Sequence, residues 1–551
     1  MRQYLDAKEQ HRDALLFFRM GDFYEMFFED ARVASRALDL TLTSRSKEAD
    51  GTGIPMCGVP FHAADGYIAR LVKKGFRVAI CDQVEDPKKA KGLVRREVVR
   101  VVSPGTLTDA TYLEAREPAF LMAVAPIGAQ RGRAEAVGVA ALDVSTGEFH
   151  ATEYVGRDRL QALADELAVL RPREVLVPVA TTWPAITAAG IPITSLDAWV
   201  FDAEHARRAL LDQLRVKSLG GFGLEDRFAA TAAAGALVHY LRTTQKADLA
   251  HVRAVVYRQR ADALLIDPTT IKHLEILEGA DSGRAGSLLD VLDCAMTAGG
   301  SRLVRAWLSR PLVSLDGIRD RLDAVEELAF RTQERGKLRD GLKAVQDLER
   351  LVARAALGTA GPRDLVGLKS SLAAIPRLRA VLSPLEAPLV RSLVTALDDL
   401  GDVRVQIEAA LVDEPPAIAR EGGFIRAGHD AEVDDLRAIS RSGKQVIAEL
   451  EARERERTGI ASLKVRYNRV FGYYIEVSKS NLHAVPSDYH RKQTIAGGER
   501  FITPALKEYE EKVVGAEERV IEREIELFEM LRSTVAADAS RIQATARAVA
   551  A

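Results

Sequence analysis

Arg19-Met20-Gly21-Asp22-Phe23-Tyr24-Glu25-Met26-Phe27-Phe28 packs four aromatic rings and one glutamate into its last six residues. Ahead of it, Ala14-Leu15-Leu16-Phe17-Phe18 reads as a short buried strand. Gly21-Asp22 is a turn signal. Phe23 therefore opens the element after the turn, where a ring can be presented. Two uses fit these residues. Large aromatics are mostly buried, so Phe23, Tyr24, Phe27 and Phe28 can all belong to a core. Alternatively, a ring at such a tip can wedge into a base stack and replace the stacking lost there. A neighbouring glutamate can then accept a hydrogen bond from the edge of a displaced base.

Three blocks in order carry a family resemblance. They are Gly21-Asp22-Phe23-Tyr24-Glu25-Met26-Phe27, Ile54-Pro55-Met56-Cys57-Gly58-Val59-Pro60-Phe61-His62-Ala63 and Val102-Ser103-Pro104-Gly105-Thr106. Together they closely resemble the N-terminal domain of the MutS family of DNA mismatch repair proteins. In that family a Phe-x-Glu pair reads the mismatch, and Phe23 and Glu25 match it here.

At 551 residues the chain is too long for one domain, and three to five are expected. A hydrophobic fraction of 47% supports packed cores without metals or disulfides. Cys57, Cys81 and Cys294 form no C-x-x-C pair and read as small buried hydrophobes. Arg2, Asp6, Lys8 and Glu9 interrupt any signal-peptide core, and no apolar run reaches spanning length, so a cytoplasmic protein without membrane contact is expected. The net charge of −2 argues against a wholly basic nucleic-acid binder but leaves local patches open.

Residues 1–110 read as α/β. Val78 to Val84 and Val98 to Val102 are strand-like, Tyr67 to Lys74 is helical, and Gly75 ends that helix. Thr43 to Gly53 reads as a polar surface loop. Lys88, Lys89, Arg95 and Arg96 make a basic segment, either solvated or in contact with phosphates, which would position DNA without reading it. Residues 117–245 form a second α/β block, with strands at Val137 to Val144 and Glu174 to Val177 and a helix at Leu160 to Leu170. Asp143 on its strand admits a metal-dependent nuclease of ribonuclease-H type, but no partner carboxylates are obvious, so a structural role is favoured. The block resembles the MutS connector, which has that fold without the chemistry.

From about residue 225 the pattern turns helical. Asp267-Pro268 reads as a helix cap and first turn, Pro311 ends another helix, and Trp307 reads as a core anchor. These segments, residues 246–420, resemble the MutS core. His273 and the other histidines show no metal-ligand spacing. Leu436 to Arg457 is a long charged helix, and after Gly459 the apolar period changes to two. Lys464 to Arg500 holds seven basic and three acidic side chains, a net +4, with Tyr467, Phe471, Tyr473, Tyr474 and Tyr489 interleaved. Such a sheet between long helices can grip a DNA backbone, or be an ordinary insert. Arg453 to Gly459, Gly472 to Ile475 and Arg491 to Thr494 resemble the MutS clamp, here residues 421–505. The resemblance implies backbone contacts from Lys464, Arg466, Asn468, Arg469, Arg491, Lys492 and Arg500. It also implies polar residues just after Thr494, where this chain has Ala496-Gly497-Gly498. Thr503-Pro504 opens a last helix, residues 506–551, of roughly 60 Å at ~1.5 Å per residue if continuous to about residue 545.

The expected architecture is thus multidomain: an α/β mismatch-recognition domain, a ribonuclease-H-like connector, and a long-helix core with an inserted β-containing clamp. No phosphate loop is found. Gly443-Lys444 is followed by Gln445, and Ala438 stands at the first glycine position. This chain therefore reads as a binder rather than an enzyme. The resemblance implies that ATP and Mg belong to an ATPase domain beyond it. It further implies a homodimer around mismatched or looped duplex DNA, recruitment of MutL, and a bacterial, nucleoid-associated location. The alternatives are the Asp143 nuclease and a helical protein scaffold without DNA binding.

Overall fold

Strand β1 (Leu15–Met20) turns through Gly21-Asp22 into β2 (Phe23–Phe27), with Phe18 opposite Glu25 and Met20 opposite Phe23. Gly21 adopts φ +61°, a conformation that glycine takes without steric cost. The computed structural model describes residues 1–47, 53–85, 94–109, 111–128, 135–281, 283–468, 472–495 and 497–551, with backbone alone for 45–47, 442–447, 468, 509 and 511–514. The chain divides into two units. One holds Met1–Ala360, Ser370–Gly401 and Thr534–Ala551, and the other Gly361–Lys369 and Asp402–Ser533.

In the first unit, β3 (Thr43–Lys47), β4 (Gly53–Pro60), β5 (Val78–Gln83) and β6 (Arg96–Val102) complete a six-stranded sheet ordered β3-β4-β2-β1-β5-β6. Helices Phe28–Leu38 and Ala64–Lys73 pack on the face of Phe17, Tyr24, Met26 and Val59. Helix Arg2–Gln10 sends Tyr4 against Phe18 and Phe27 on the other face, at ring distances of 5.6 and 5.0 Å. The loop expected from Thr43 to Gly53 is in part the edge strand β3, Thr43 pairing with Met56. An edge strand needs no apolar alternation, so its polar sequence concealed it.

A second sheet, ordered β11-β10-β7-β8-β9-β12, is built from β7 (Phe120–Ile127), β8 (Ala136–Asp143), β9 (Glu148–Val155), β10 (Glu174–Pro178), β11 (Ile193–Leu196) and β12 (Val256–Tyr257). The alanine-rich helix Phe228–Gln245 is buried almost throughout against one face. Small side chains permit that close approach, and the helix also anchors the first sheet. Arg100 Nε donates to Gln245 Oε1 at 2.8 Å, Gln245 Nε2 to Val101 O at 3.0 Å, and Lys246 Nζ to Val98 O. The Ser103-to-Thr106 turn is fixed by buried Glu174. Its carboxylate accepts from Ser103 Oγ, from Gly105 N at 3.0 Å, from Thr194 Oγ1 at 2.6 Å and from Tyr240 OH at 2.9 Å.

Beyond residue 260 this unit is helical. Asp267 caps helix Pro268–His273 through Thr270 N at 3.0 Å. Trp307 is half-buried rather than a core anchor, and the Arg321 guanidinium stacks on its ring at 3.7 Å. Cys57 and Cys81 are buried, but Cys294 is exposed at the end of a short helix. Arg302 binds Asp347 at 2.6 Å and the Ala115 carbonyl at 2.9 Å, while Arg350 Nη2 reaches the carbonyls of Glu114 and Glu117, so both hold the connecting segment. In helix Ala539–Ala550, Gln543 Nε2 donates to Thr146 O at 2.8 Å and His251 O at 2.9 Å.

In the second unit, helices Ala431–Thr458 and Pro504–Ala537 enclose a sheet ordered β13-β14-β16-β15. Its strands are β13 (Lys464–Asn468), β14 (Gly472–Ser478), β15 (His490–Ile495) and β16 (Gly498–Ile502). Ile475, Val477, Phe501 and Leu506 form its core with Leu450 and Leu463. The two helices are joined by fully buried Glu524, which accepts from Arg437 at 2.5 Å and from Gly423 N at 2.6 Å. The last helix is not continuous to residue 545. It ends at Ala537, where Asp538 N bonds back to Val535 O at 3.2 Å in a tighter turn before Ala539–Ala550 begins. Among the described residues no helix is long and apolar enough to cross a membrane.

Burial lowers His251 from its ordinary 6.5 to about 4. The folded state therefore holds the ring neutral, with Nε2 2.9 Å from Val144 O. The unfolded chain binds the proton first, so stability present above pH 6.5 is lost as pH falls towards 4. Thermal melts of wild type and His251→Gln across that window should show a shallower loss in the variant, by up to about 3 kcal/mol.

Candidate functional site

The two-residue period of β2 sorts its side chains. Tyr24 and Met26 enter the core, while Phe23 and Glu25 lie on the opposite face. Phe23 is 46% exposed and its cross-strand neighbour Met20 41%, whereas Glu25 is only 6% exposed. The four rings of the segment therefore do not share one fate. Tyr24 is core, Phe27 and Phe28 pack beside Tyr4, and Phe23 faces outward.

The turn below the ring is braced. Arg19 lies 3.4 Å over the Phe61 ring and its Nε donates to the Gly21 carbonyl. Phe61 N donates to Asp22 O at 2.9 Å, so the blocks around residues 20 and 60 meet at this turn. Tyr24 OH donates to Asp82 at 3.1 Å, and burial together with that carboxylate raises the phenol well above its ordinary value. Phe28 follows β2 at φ +53°, a bulky residue in a left-handed conformation at the switch from strand to helix. Asp30 secures that switch through Leu16 N at 3.0 Å and Lys8 at 2.8 Å.

The basic residues named from sequence divide. Lys88 and Lys89 lie outside the described residues. Arg95 is exposed and paired with Glu97. Arg96 is turned inward: Nε donates to Arg19 O at 2.7 Å, Nη1 to Val94 O at 3.0 Å, and the guanidinium lies 5.5 Å over Phe18. Its structure is that of a brace for the β1 end, which the run of positive charge concealed. Met20, beside Phe23, was not singled out from sequence because a lone methionine next to a turn carries no pattern.

On the four-stranded sheet, Lys464, Arg466, Arg491 and Lys492 are exposed. Arg491 lies 3.3 Å from Glu499. Arg500 is half-buried, bonded to Gln493 at 2.8 Å, 3.6 Å from Glu476, and stacked on Tyr474 at 4.4 Å. The backbone of Asn468 pairs with Gly472, while Arg469 and Ala496 lie outside the described residues. Tyr467 is exposed, its ring 5.0 Å from that of Tyr473. The loop before β15 is tied to its helix by Tyr489 OH to Glu454 at 2.9 Å and Arg457 to Asp488 at 3.1 Å.

Asp143 is buried with both oxygens engaged. One accepts Ala119 N at 2.9 Å, and the other accepts Ser145 N at 2.9 Å and Ser145 Oγ at 2.6 Å. That is the bonding of a turn-forming carboxylate. Among the described residues no three His, Cys, Asp or Glu side chains are grouped as a metal would require.

An exposed ring on an α/β sheet, a helical middle and a basic sheet between long helices define a multidomain protein with a mixed α/β N-terminal region and a helical core. Family models match most of it: MutS domain I at residues 1–111, MutS domain II at 119–253 and MutS domain III at 269–551. The chain is 49% identical over its whole length to the DNA mismatch repair protein MutS of Symbiobacterium thermophilum and to that of Solibacter usitatus, covering 63% of each. It is 50% identical to the protein of that name from Anaeromyxobacter dehalogenans, covering 61% of it. The chain belongs to the MutS family, and it spans a little over three-fifths of the length of these relatives.

If Asp143 is a structural carboxylate, Asp143→Asn places an amide donor against donors and should cost about 1–3 kcal/mol. Calorimetry should record that loss, and magnesium should leave the melting temperature of the wild type unchanged.

Proposed function

We propose that this chain recognises mismatched or unpaired bases in duplex DNA, the first step of mismatch repair. The observation that carries the reading is the exposed Phe23 ring with Glu25 two residues on along the same face. Phe23 enters from the minor groove and unstacks the mispair. Weakened stacking lowers the cost of kinking the duplex at a mispair, so much of the discrimination is deformability. Glu25 accepts a hydrogen bond from one mispaired base. Its charge opposes normal duplex, where no displaced base repays its approach. Low exposure suits that task, because an acceptor shielded from water is electrostatically stronger.

The sheet β13 to β16 acts as a clamp on the DNA backbone, with exposed Lys464, Arg466, Arg491 and Lys492 turned to phosphates. The finer divisions belong to the same proposal: recognition domain 1–110, ribonuclease-H-like connector 117–245, core helices 246–420 and 506–551, and clamp 421–505. For the whole protein we propose a homodimer, coupling to MutL and a cytoplasmic setting. ATP and magnesium are assigned to sequence outside this chain, and none of its residues is given to them. The nuclease reading has no support from Asp143, whose oxygens are occupied by donors of its own fold. No observation favours the scaffold.

Stacking on an aromatic ring is worth about 1–3 kcal/mol per base. Phe23→Ala should therefore lower the preference for a G·T mismatch over matched duplex about ten-fold or more in a gel-shift assay. A variant that still separates the two duplexes would refute the wedge. Replacing Arg491 and Lys492 together by alanine should weaken binding to every duplex. Each lost phosphate contact should also reduce the slope of log affinity against log salt by about 0.9. An unchanged slope would reject the clamp assignment.

A further inference from the structure

Strand β4 carries a glycine where a side chain would stand between the two reading groups. Gly58 pairs with Glu25 and Pro60 with Phe23, while Val59 between them enters the core with Tyr24. Gly58 therefore lies on the face of Phe23 and Glu25. A Cβ placed on it would lie 3.6 Å from Glu25 Cγ, 3.9 Å from Phe23 Cδ1 and 3.4 Å from Tyr24 O. These are ordinary contacts, and Gly58 is not among the glycines at positive φ. Neither the backbone nor the space for one methyl demands glycine here. Glycine inside a strand also weakens it. What its absent side chain leaves is room: the Phe23 ring edge and the Glu25 side chain both lie within 4 Å of the point a Cβ would occupy. Further atoms on a Cβ would meet one or both groups, and a branched side chain would drive them apart.

We propose that Gly58 is a specificity-determining position. Its missing side chain fixes the spacing between the ring and the carboxylate, so that both engage the same mispaired base. The proposal rests on the mismatch reading of Phe23 and Glu25, and the test separates the two.

The experiment compares wild type, Gly58→Ala, Gly58→Ser, Gly58→Val and Phe23→Ala. It measures affinity for G·T and matched duplexes, fluorescence of a 2-aminopurine beside the mispair, and thermal melting. Alanine should reduce the mismatch preference by less than about threefold, serine by about threefold to tenfold, and valine by about tenfold or more. The loss should fall on the mismatched duplex, with the 2-aminopurine signal of unstacking reduced in the same order. The strand preference of a β-branched residue should offset the cost of displacing the two side chains, so valine should change the melting temperature little. If valine keeps the full preference while Phe23→Ala loses it, the role of Gly58 is overturned and the wedge stands. If Phe23→Ala also keeps it, both readings fall. Should valine unfold the protein, serine decides: a reduced preference supports the proposal and an unchanged one overturns it.

Discussion

Everything at the candidate site depends on the parity of β2. Alternate residues of a strand face opposite ways, so burying Tyr24 and Met26 leaves Phe23 and Glu25 together on the other side. A slip of one residue would exchange the sets, turning Tyr24 out and the carboxylate of Glu25 into an apolar core. Several independent contacts hold the register: the Gly21 turn, Arg19 between that turn and Phe61, and Tyr24 against Asp82. None involves Phe23 itself. The ring is therefore positioned by neighbours that have no reason to move when it does.

The first sheet is not loosely tethered. Arg100, Gln245 and Lys246 bond it to the helix under the second sheet, and Glu174 gathers the turn between the sheets into a buried network. A buried carboxylate that lost any of these donors would stay desolvated without compensation, so the junction resists partial opening. Arg302 and Arg350 treat the next connecting segment in the same way, by binding its carbonyls. A force applied to the first sheet would therefore be passed to the second sheet and to the helices behind it.

Periodicity made much of this legible. The strand at residues 14–18, the turn, the helix ending at Gly75, the strand reaching Asp143, and the change to period two after Gly459 all follow from apolar spacing and turn chemistry. A structural role for Asp143 was legible from the lack of partner carboxylates. Other features were hidden for physical reasons. β3 is an edge strand with a polar sequence. Arg96 looked like one more charge in a basic run, yet its direction is set by the Arg19 carbonyl, which no local pattern reveals. Glu174 at the start of an apolar strand gave no hint that four donors converge on it from elsewhere in the chain. The exposure of Cys294 and the half-burial of Trp307 are likewise decided by tertiary packing, not by residue type.

The bonds from Gln543 to Thr146 and His251 have a consequence for how the protein is made. Gly147 sits beside them at φ +80°, where a Cβ would come within 2.5 Å of the Gln543 amide, so the site is shaped for that one partner. The partner is 397 residues away from Thr146. At about 5–20 residues per second, translation separates the two by roughly 20 to 80 s. During that interval the Thr146 carbonyl lacks its eventual donor, and the His251 carbonyl joins it for the last 292 residues. Both bonds wait until the ribosome has delivered residue 543.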